Sequence, residues 1–372
     1  MKPIDEIGLA GDLIRIDSQN PPGREEECAK FLRDLFEDRF MDLEIRTFRW
    51  MENRMDILAT QGGESGGLML NGHLDTVPVG DPNMWSWDPF SGKVVEGKIR
   101  GRGATDMKSA VAAMIASAHR YLSENKPKRK LALFFTSDEE VASRGLRRIM
   151  EKEKHLLNGI SYGIIGEPTE LNVIRMHKGV YYTRIEVTGD PAHGSTPQYG
   201  DNAIEKAAEI IQALRDLEVA LEFKRHEVGH PTINVGMIQG GTKVNVVPDR
   251  CIIDIDRRTI PTEGVEEVLS EFREVVNKVT TEATVEITGY RAPHEIESGS
   301  RIIREMEEIT GSGSRGISYW TEAPIFHQAG VECAVLGPGS VIQAHAFDET
   351  VPAEEVKIAG SFYEEALKRI CH

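Results

Sequence analysis

Three short apolar runs constrain what this chain can fold into, because each stops at side chains able to do chemistry. Leu68–Leu70, in GLMLNGHLDTVP, is followed by His73 and Asp75; Lys130–Thr136 (KLALFFT) by Ser137, Asp138, Glu139 and Glu140; Ile160–Gly166 (ISYGIIG) by Glu167. Runs apolar on both faces read as central strands of a parallel sheet. Alternation along an extended chain puts His73 and Asp75 on one face. That spacing suits a metal-bound imidazole whose other ring nitrogen is fixed by a carboxylate. Carboxylates at the end of a buried strand are costly unless a cation sits beside them. Open α/β sheets place their sites outside the carboxyl ends of the strands, where all three runs deliver their polar residues. Taken singly, each has a plainer explanation: a strand-end His with a turn Asp, or a solvated acidic turn opening a helix.

The surrounding pattern extends the α/β reading. Cys28, Phe31, Leu32, Leu35 and Phe36 form one face of a helix that begins after the breaker Asn20–Pro21–Pro22–Gly23. A second amphipathic helix runs through Val111, Met114, Ile115, Ala118 and Leu122, with Asp106 just ahead of it, where an N-cap is the plain expectation. From about His177 the order becomes βαββαβ, the ferredoxin-like arrangement, with strands at 180–187, 232–238, 251–255 and 284–288. After about Tyr290 the α/β rhythm returns with a helix near 301–310, a strand at 333–336, the loop Gly337–Pro338–Gly339, His345, and a last helix from Pro352. The expected organisation is a catalytic domain in two parts, 1–176 and 290–372, with a domain of residues 177–289 inserted.

The 372 residues exceed one ordinary core, and 40% hydrophobic with 28% charged residues is an ordinary globular balance. A net charge of −16 argues against nucleic acid or an anionic membrane as partner. No apolar segment resembles a signal peptide or membrane span. Cys28, Cys251, Cys333 and Cys371 are too scattered for a zinc knuckle or a disulfide framework. A cytoplasmic protein is the expectation.

His73, Asp106, Glu140, Glu167 and His345, with Glu139 adjacent, form a donor set suited to borderline divalent metals such as zinc. With Asp106 bridging, each of two metals receives one His, one Asp oxygen and one Glu. Of the neighbours Glu139 and Glu140, the one not coordinating becomes a natural general base. Spacing alone does not assign the five ligands.

GHLDTVP, GRGATDMKSAVAAM, TSDEE, GEPT, AHGSTP and GPGSVIQAHAFDE together resemble the di-zinc aminoacylase/carboxypeptidase family, which includes acetylornithine deacetylases, succinyl-diaminopimelate desuccinylases and carboxypeptidase G. The resemblance spans essentially the whole chain. It implies a zinc-peptidase-like catalytic domain with a mixed central sheet flanked by helices, and an inserted ferredoxin-like lid that forms a homodimer. It implies two Zn2+ per subunit, with Co2+ or Mn2+ as substitutes: His73 and Glu167 on one, Glu140 and His345 on the other, Asp106 between them. Asp75 would orient His73, and Glu139 would be the base. His193, in AHGSTP, would steady an oxyanion in the opposite subunit. Asn245 and Arg257 match positions that grip a substrate carboxylate, with Arg258 the alternative to Arg257; Gly337 is a further expected substrate contact. TEAPIFHQAG and GPGSVIQAH look more like acetylornithine deacetylase than the desuccinylase. The implied activity is hydrolysis of a small-molecule N-acyl amino acid, with desuccinylase, N-acyl-lysine deacylase and small-peptidase activities as alternatives. A metal-binding relative without turnover is the alternative from another class.

Overall fold

The three apolar runs form neighbouring strands, and a fourth joins them from the far end of the sequence. In the computed structural model, which describes residues 2–372, Arg129–Thr136, Glu64–His73, Ile160–Ile165 and Glu332–Val335 lie side by side and mutually parallel. Their register aligns the carboxyl ends, with His73 opposite Thr136 and Ile165 opposite Val335. The chain leaves Glu64–His73, pairs first on one side of that strand and then on the other, so His73 stands where the strand order reverses. Arg54–Gln61 and Glu44–Met51 extend the sheet antiparallel on the Thr136 side, and Ile174 pairs antiparallel with Val335 on the other.

This sheet belongs to one of two compact units, made of residues up to Arg175, Ile296–Arg315 and Thr321–His372. The apolar stretches of its central strands, Leu68–Leu70 and Leu131–Phe135, are buried on both faces. The helix Glu25–Arg39 buries Cys28, Leu32 and Phe36, the face expected of it. Ser109–Glu124, between the His73 strand and the Glu139 strand, is buried almost all round and packs with Ala353–Cys371 in the same core.

The second unit comprises Met176–Glu295 and Gly316–Trp320. Its antiparallel sheet has the order Thr232–Gly240, Arg250–Thr259, Gly179–Thr188, Ala283–Arg291, the ferredoxin-like arrangement. The helices Ala203–Leu221 and Val265–Val279 supply Ala207, Ile210, Leu214, Val268 and Phe272 to a core shared with Ile185, Ile253 and Ile255. Asn202 caps the first of these helices, accepting from the Ile204 and Glu205 N–H groups. His177 and His294 pack against each other here, ring centres 5.5 Å apart. Among the described residues no helix is long and apolar enough to cross a membrane.

Leu70 lies fully buried between Leu133 and Ile164 in the middle of the parallel strands. Leu70→Ala is expected to cost about 3 kcal/mol, seen as a lower urea midpoint for unfolding of the metal-free protein.

Candidate metal centre

The ends of the parallel strands gather the ionisable side chains. His73 is the last residue of its strand and is buried. Its Nδ1 lies 2.9 Å from the Asp75 carbonyl oxygen and 3.6 Å from the Asp75 carboxylate. Its Nε2 lies 2.9 Å from Asp106 Oδ1 and 3.8 Å from Glu167 Oε1. Asp75 therefore meets the ring chiefly through its backbone. Its carboxylate accepts the N–H groups of Glu139 and Glu140 at 3.1 Å each and the Asn20 side-chain amide at 2.8 Å.

Asp106 is not the N-cap that its position before a helix suggests. The helix starts at Ser109, and Asp106 sits in the irregular turn Ala104–Lys108 with φ −124° and ψ 93°. Its second oxygen, Oδ2, is 3.4 Å from His345 Nε2, which is in turn 3.1 Å from Glu140 Oε2. One carboxylate thus shows an oxygen to each of two clusters, His73–Asp106–Glu167 and Asp106–Glu140–His345, and within each cluster the donor atoms lie within 4.8 Å of one another. Each cluster is one imidazole with two carboxylates, a donor set that fits a borderline divalent ion.

Electrostatics support the fit. Burial raises the pKa of Glu167 well above the ordinary value, and the Asp106 and Glu139 charges add to it; Glu140 is raised by burial and by Asp106. Burial works against the Asp106 anion as well, but hydrogen bonds from His345 and His73 outweigh it and hold that pKa below the usual carboxylate range. Burial opposes the His73 cation, yet Asp106 and Asp75 raise its pKa well above normal. His345, hydrogen-bonded to Asp106 and Glu140, is raised to about 10. The site is an anionic cage in which three carboxylates face two imidazoles, a concentration of negative charge that divalent ions suit.

Glu139 is buried beside these groups, its backbone held by Asp75. Several supporting residues were not singled out in the sequence. Arg54, buried, pairs with Asp138 and also bonds Glu25, the Asn20 side chain (2.5 Å) and the Pro22 carbonyl (3.0 Å). Asn20 passes that support to Asp75. Glu322, raised to about 7 by burial, accepts from Thr136, which opens the Ser137–Glu140 segment.

His193 and Asn245 lie in the second unit, brought together by a backbone bridge between His193 and Val246 and a 2.9 Å bond from Gly194 N–H to the Asn245 carbonyl. The Ser195 backbone N–H donates to His193 Nδ1 at 3.1 Å, so the neutral ring carries its proton on Nε2, where it can donate outward.

Arg257 and Gly337, both expected to meet the substrate, are instead packed inside their units. Arg257 is fully buried, bonded to Glu263 at 2.6 Å, Glu271 at 3.2 Å and the Arg258 carbonyl at 2.6 Å, so its fork is already used inside the second unit. The strand Arg250–Thr259 alternates with Cys251, Ile253, Ile255 and Arg257 all inward, leaving Arg258 on the other face, held by Asp256. Gly337 is buried behind Glu167: a Cβ there would lie 2.2 Å from the Gly166 carbonyl oxygen and 2.5 Å from that of Glu167. Its N–H donates to Thr169 Oγ1 and its carbonyl accepts from Thr169 and Leu171, so neither group is left for a substrate.

Residues 69–369 match the model of Peptidase family M20/M25/M40. The chain belongs to peptidase family M20. It is thereby a hydrolase of amide bonds in a metallopeptidase family. It is 32% identical over 350 residues to an acetylornithine deacetylase of Pectobacterium carotovorum, covering 91% of this chain and 89% of that protein. An acetylornithine deacetylase of Proteus mirabilis is 32% identical over 359 residues, covering 93% and 90%. The fold is that of an M20 family metallo-carboxypeptidase from Sulfolobus solfataricus, with a TM-score of 0.79, 19% identity and 98% of each chain covered. A dinuclear metal binding M20 peptidase from Bacillus subtilis superposes with a TM-score of 0.72 at 18% identity, covering 98% of this chain and 97% of that one.

Because Arg257 neutralises buried Glu263, Arg257→Ala is expected to cost roughly 3–5 kcal/mol of stability. Chemical unfolding measures this; an unchanged midpoint with a raised KM instead would return Arg257 to substrate binding.

Proposed function

We propose that this M20 hydrolase is a di-zinc deacylase of N-acyl amino acids and that N-acetylornithine is its substrate. The observation that carries the reading is Asp106 shared between two His–carboxylate clusters, with a further buried carboxylate, Glu139, beside them. The likeness to acetylornithine deacetylases supports the choice of substrate.

In this reading His73 and Glu167 hold one ion, Glu140 and His345 the other, and Asp106 both. Bound there, two zinc ions, or Co2+ or Mn2+ in their place, would lower the pKa of a water and polarise the acyl carbonyl. Glu139 takes a proton from the attacking water and delivers it to the amine nitrogen as the C–N bond breaks. Asp75 fixes the Glu139 and Glu140 backbones through two N–H bonds, so the base and a ligand keep their places relative to each other. Arg258 replaces Arg257 as the candidate for the substrate's carboxylate, with Asn245. The reading includes a homodimer formed through the second unit, in which His193 is a hydrogen-bond donor to the developing oxyanion. The Nε2–H tautomer set by Ser195 is the form that role needs.

Glu139→Gln keeps size and hydrogen bonding but cannot accept the proton. It is expected to retain zinc near the wild-type amount and to lose about 10²–10⁴-fold in kcat on N-acetylornithine. Turnover close to wild type would remove Glu139 from the mechanism. Wild-type turnover of N-succinyl-diaminopimelate, N-acetyl-lysine or a dipeptide in preference to N-acetylornithine would move the substrate within the family. No turnover of any of them at full zinc loading would leave a non-enzymatic relative.

A further inference from the structure

The turn that carries Asp106 is held by a buried ion pair with no part in the chemistry above. Arg102 and Glu349 are both shut off from solvent. Glu349 Oε2 accepts Arg102 Nη1 at 2.6 Å and the Gly103 N–H at 3.2 Å. Its Oε1 accepts the N–H groups of Thr105 at 2.8 Å and of Asp106 itself at 3.2 Å. The Nη groups of Arg102 also reach backbone carbonyls, Ala346 at 3.2 Å, His345 at 3.5 Å and Pro78 at 3.4 Å, while its buried Nε makes no hydrogen bond. Its guanidinium lies 5.2 Å from the centre of the Trp85 ring. The carboxylate thus grips the Asp106 turn, while the guanidinium grips the His345 loop and the segment that follows His73.

A buried ion pair is a poor source of net stability, since apolar residues of similar volume often serve as well. What it supplies is direction, because a carboxylate and a planar fork fix the groups they bond. The two clusters differ in how much they need this. His73 ends a sheet strand and Glu167 follows one closely. His345 lies in a loop outside regular structure, with φ +64° and a side chain 54% exposed. Among the described contacts, its own backbone carbonyl is tied by Arg102.

We propose that Arg102 and Glu349 are a positioning pair for the metal centre: Glu349 sets the turn of the shared Asp106, and the Arg102 fork sets chiefly the His345 loop. The proposal rests on the di-metal reading above and predicts an asymmetry that this reading does not contain. Arg102→Lys keeps a buried cation beside Glu349 but loses the fork. Glu349→Gln loses the charge that gathers the turn's N–H groups.

The test is zinc titration of the metal-free wild type and both variants against a chromophoric chelator, with near-ultraviolet circular dichroism as the check on folding. The wild type takes two ions. Arg102→Lys is expected to keep one near wild-type affinity and to bind the other roughly 10–100-fold more weakly, with kcat recovering as free zinc is raised. Glu349→Gln is expected to weaken both. Wild-type affinities in Arg102→Lys, or equal weakening at both positions, overturn the proposal. If Arg102→Lys does not fold, Glu349→Gln decides: two wild-type affinities there overturn it, and failure of both variants to fold with zinc in excess assigns the pair to general stability instead. A wild type that does not take two ions contradicts the di-metal reading itself.

Discussion

The attraction of two imidazoles to Asp106, set against its repulsion of two further carboxylates, is the interaction on which the site depends. Glu140 and Glu167 lie largely out of water near a third carboxylate, an arrangement that repels itself unless positive charge is added. His73 and His345 stand one on each Asp106 oxygen. A pair of divalent ions would answer the same demand with more charge, and the two donor sets lie on either side of Asp106.

The sheet makes that cage affordable. Four parallel strands end in register, and each apolar run stops where its chain can turn a polar side chain toward the same edge. Their interiors are hydrophobic on both faces, so packing fixes their positions and leaves only short segments beyond the ends to be oriented. Buried polar groups do that orienting. Asp75 holds Glu139 and Glu140, Asn20 and Arg54 support Asp75, and Gly337 lets the Glu167 backbone close against its neighbour.

Much of this was legible in the sequence because it is local. An apolar run followed within a few residues by His or Glu reveals both a strand and the side chain it delivers, as at His73, Glu140 and Glu167. What was not legible is set by partners far away. Asp106 looks like a cap until the turn before its helix is seen. Arg102 and Glu349 stand 247 positions apart, and Asn20 and Asp75 are 55 apart, so no spacing links them. Arg257 is instructive in another way. Its burial was readable from Cys251, Ile253 and Ile255, with which it is in phase, but the resemblance to a carboxylate-gripping position outweighed that alternation. Only Glu263 and Glu271 show how a buried guanidinium is satisfied there. At Gly337 the lack of a Cβ serves the close approach of the Gly166 and Glu167 backbone, which no sequence spacing reveals.

The central claim is that Asp106 stands between two metal ions. The measurement that tests it most directly is anomalous scattering at the zinc edge from crystals of the zinc-loaded protein. Two peaks are predicted, one bounded by His73, Asp106 and Glu167 and the other by Asp106, Glu140 and His345. A single peak, or peaks that leave Asp106 uncoordinated, would contradict the account.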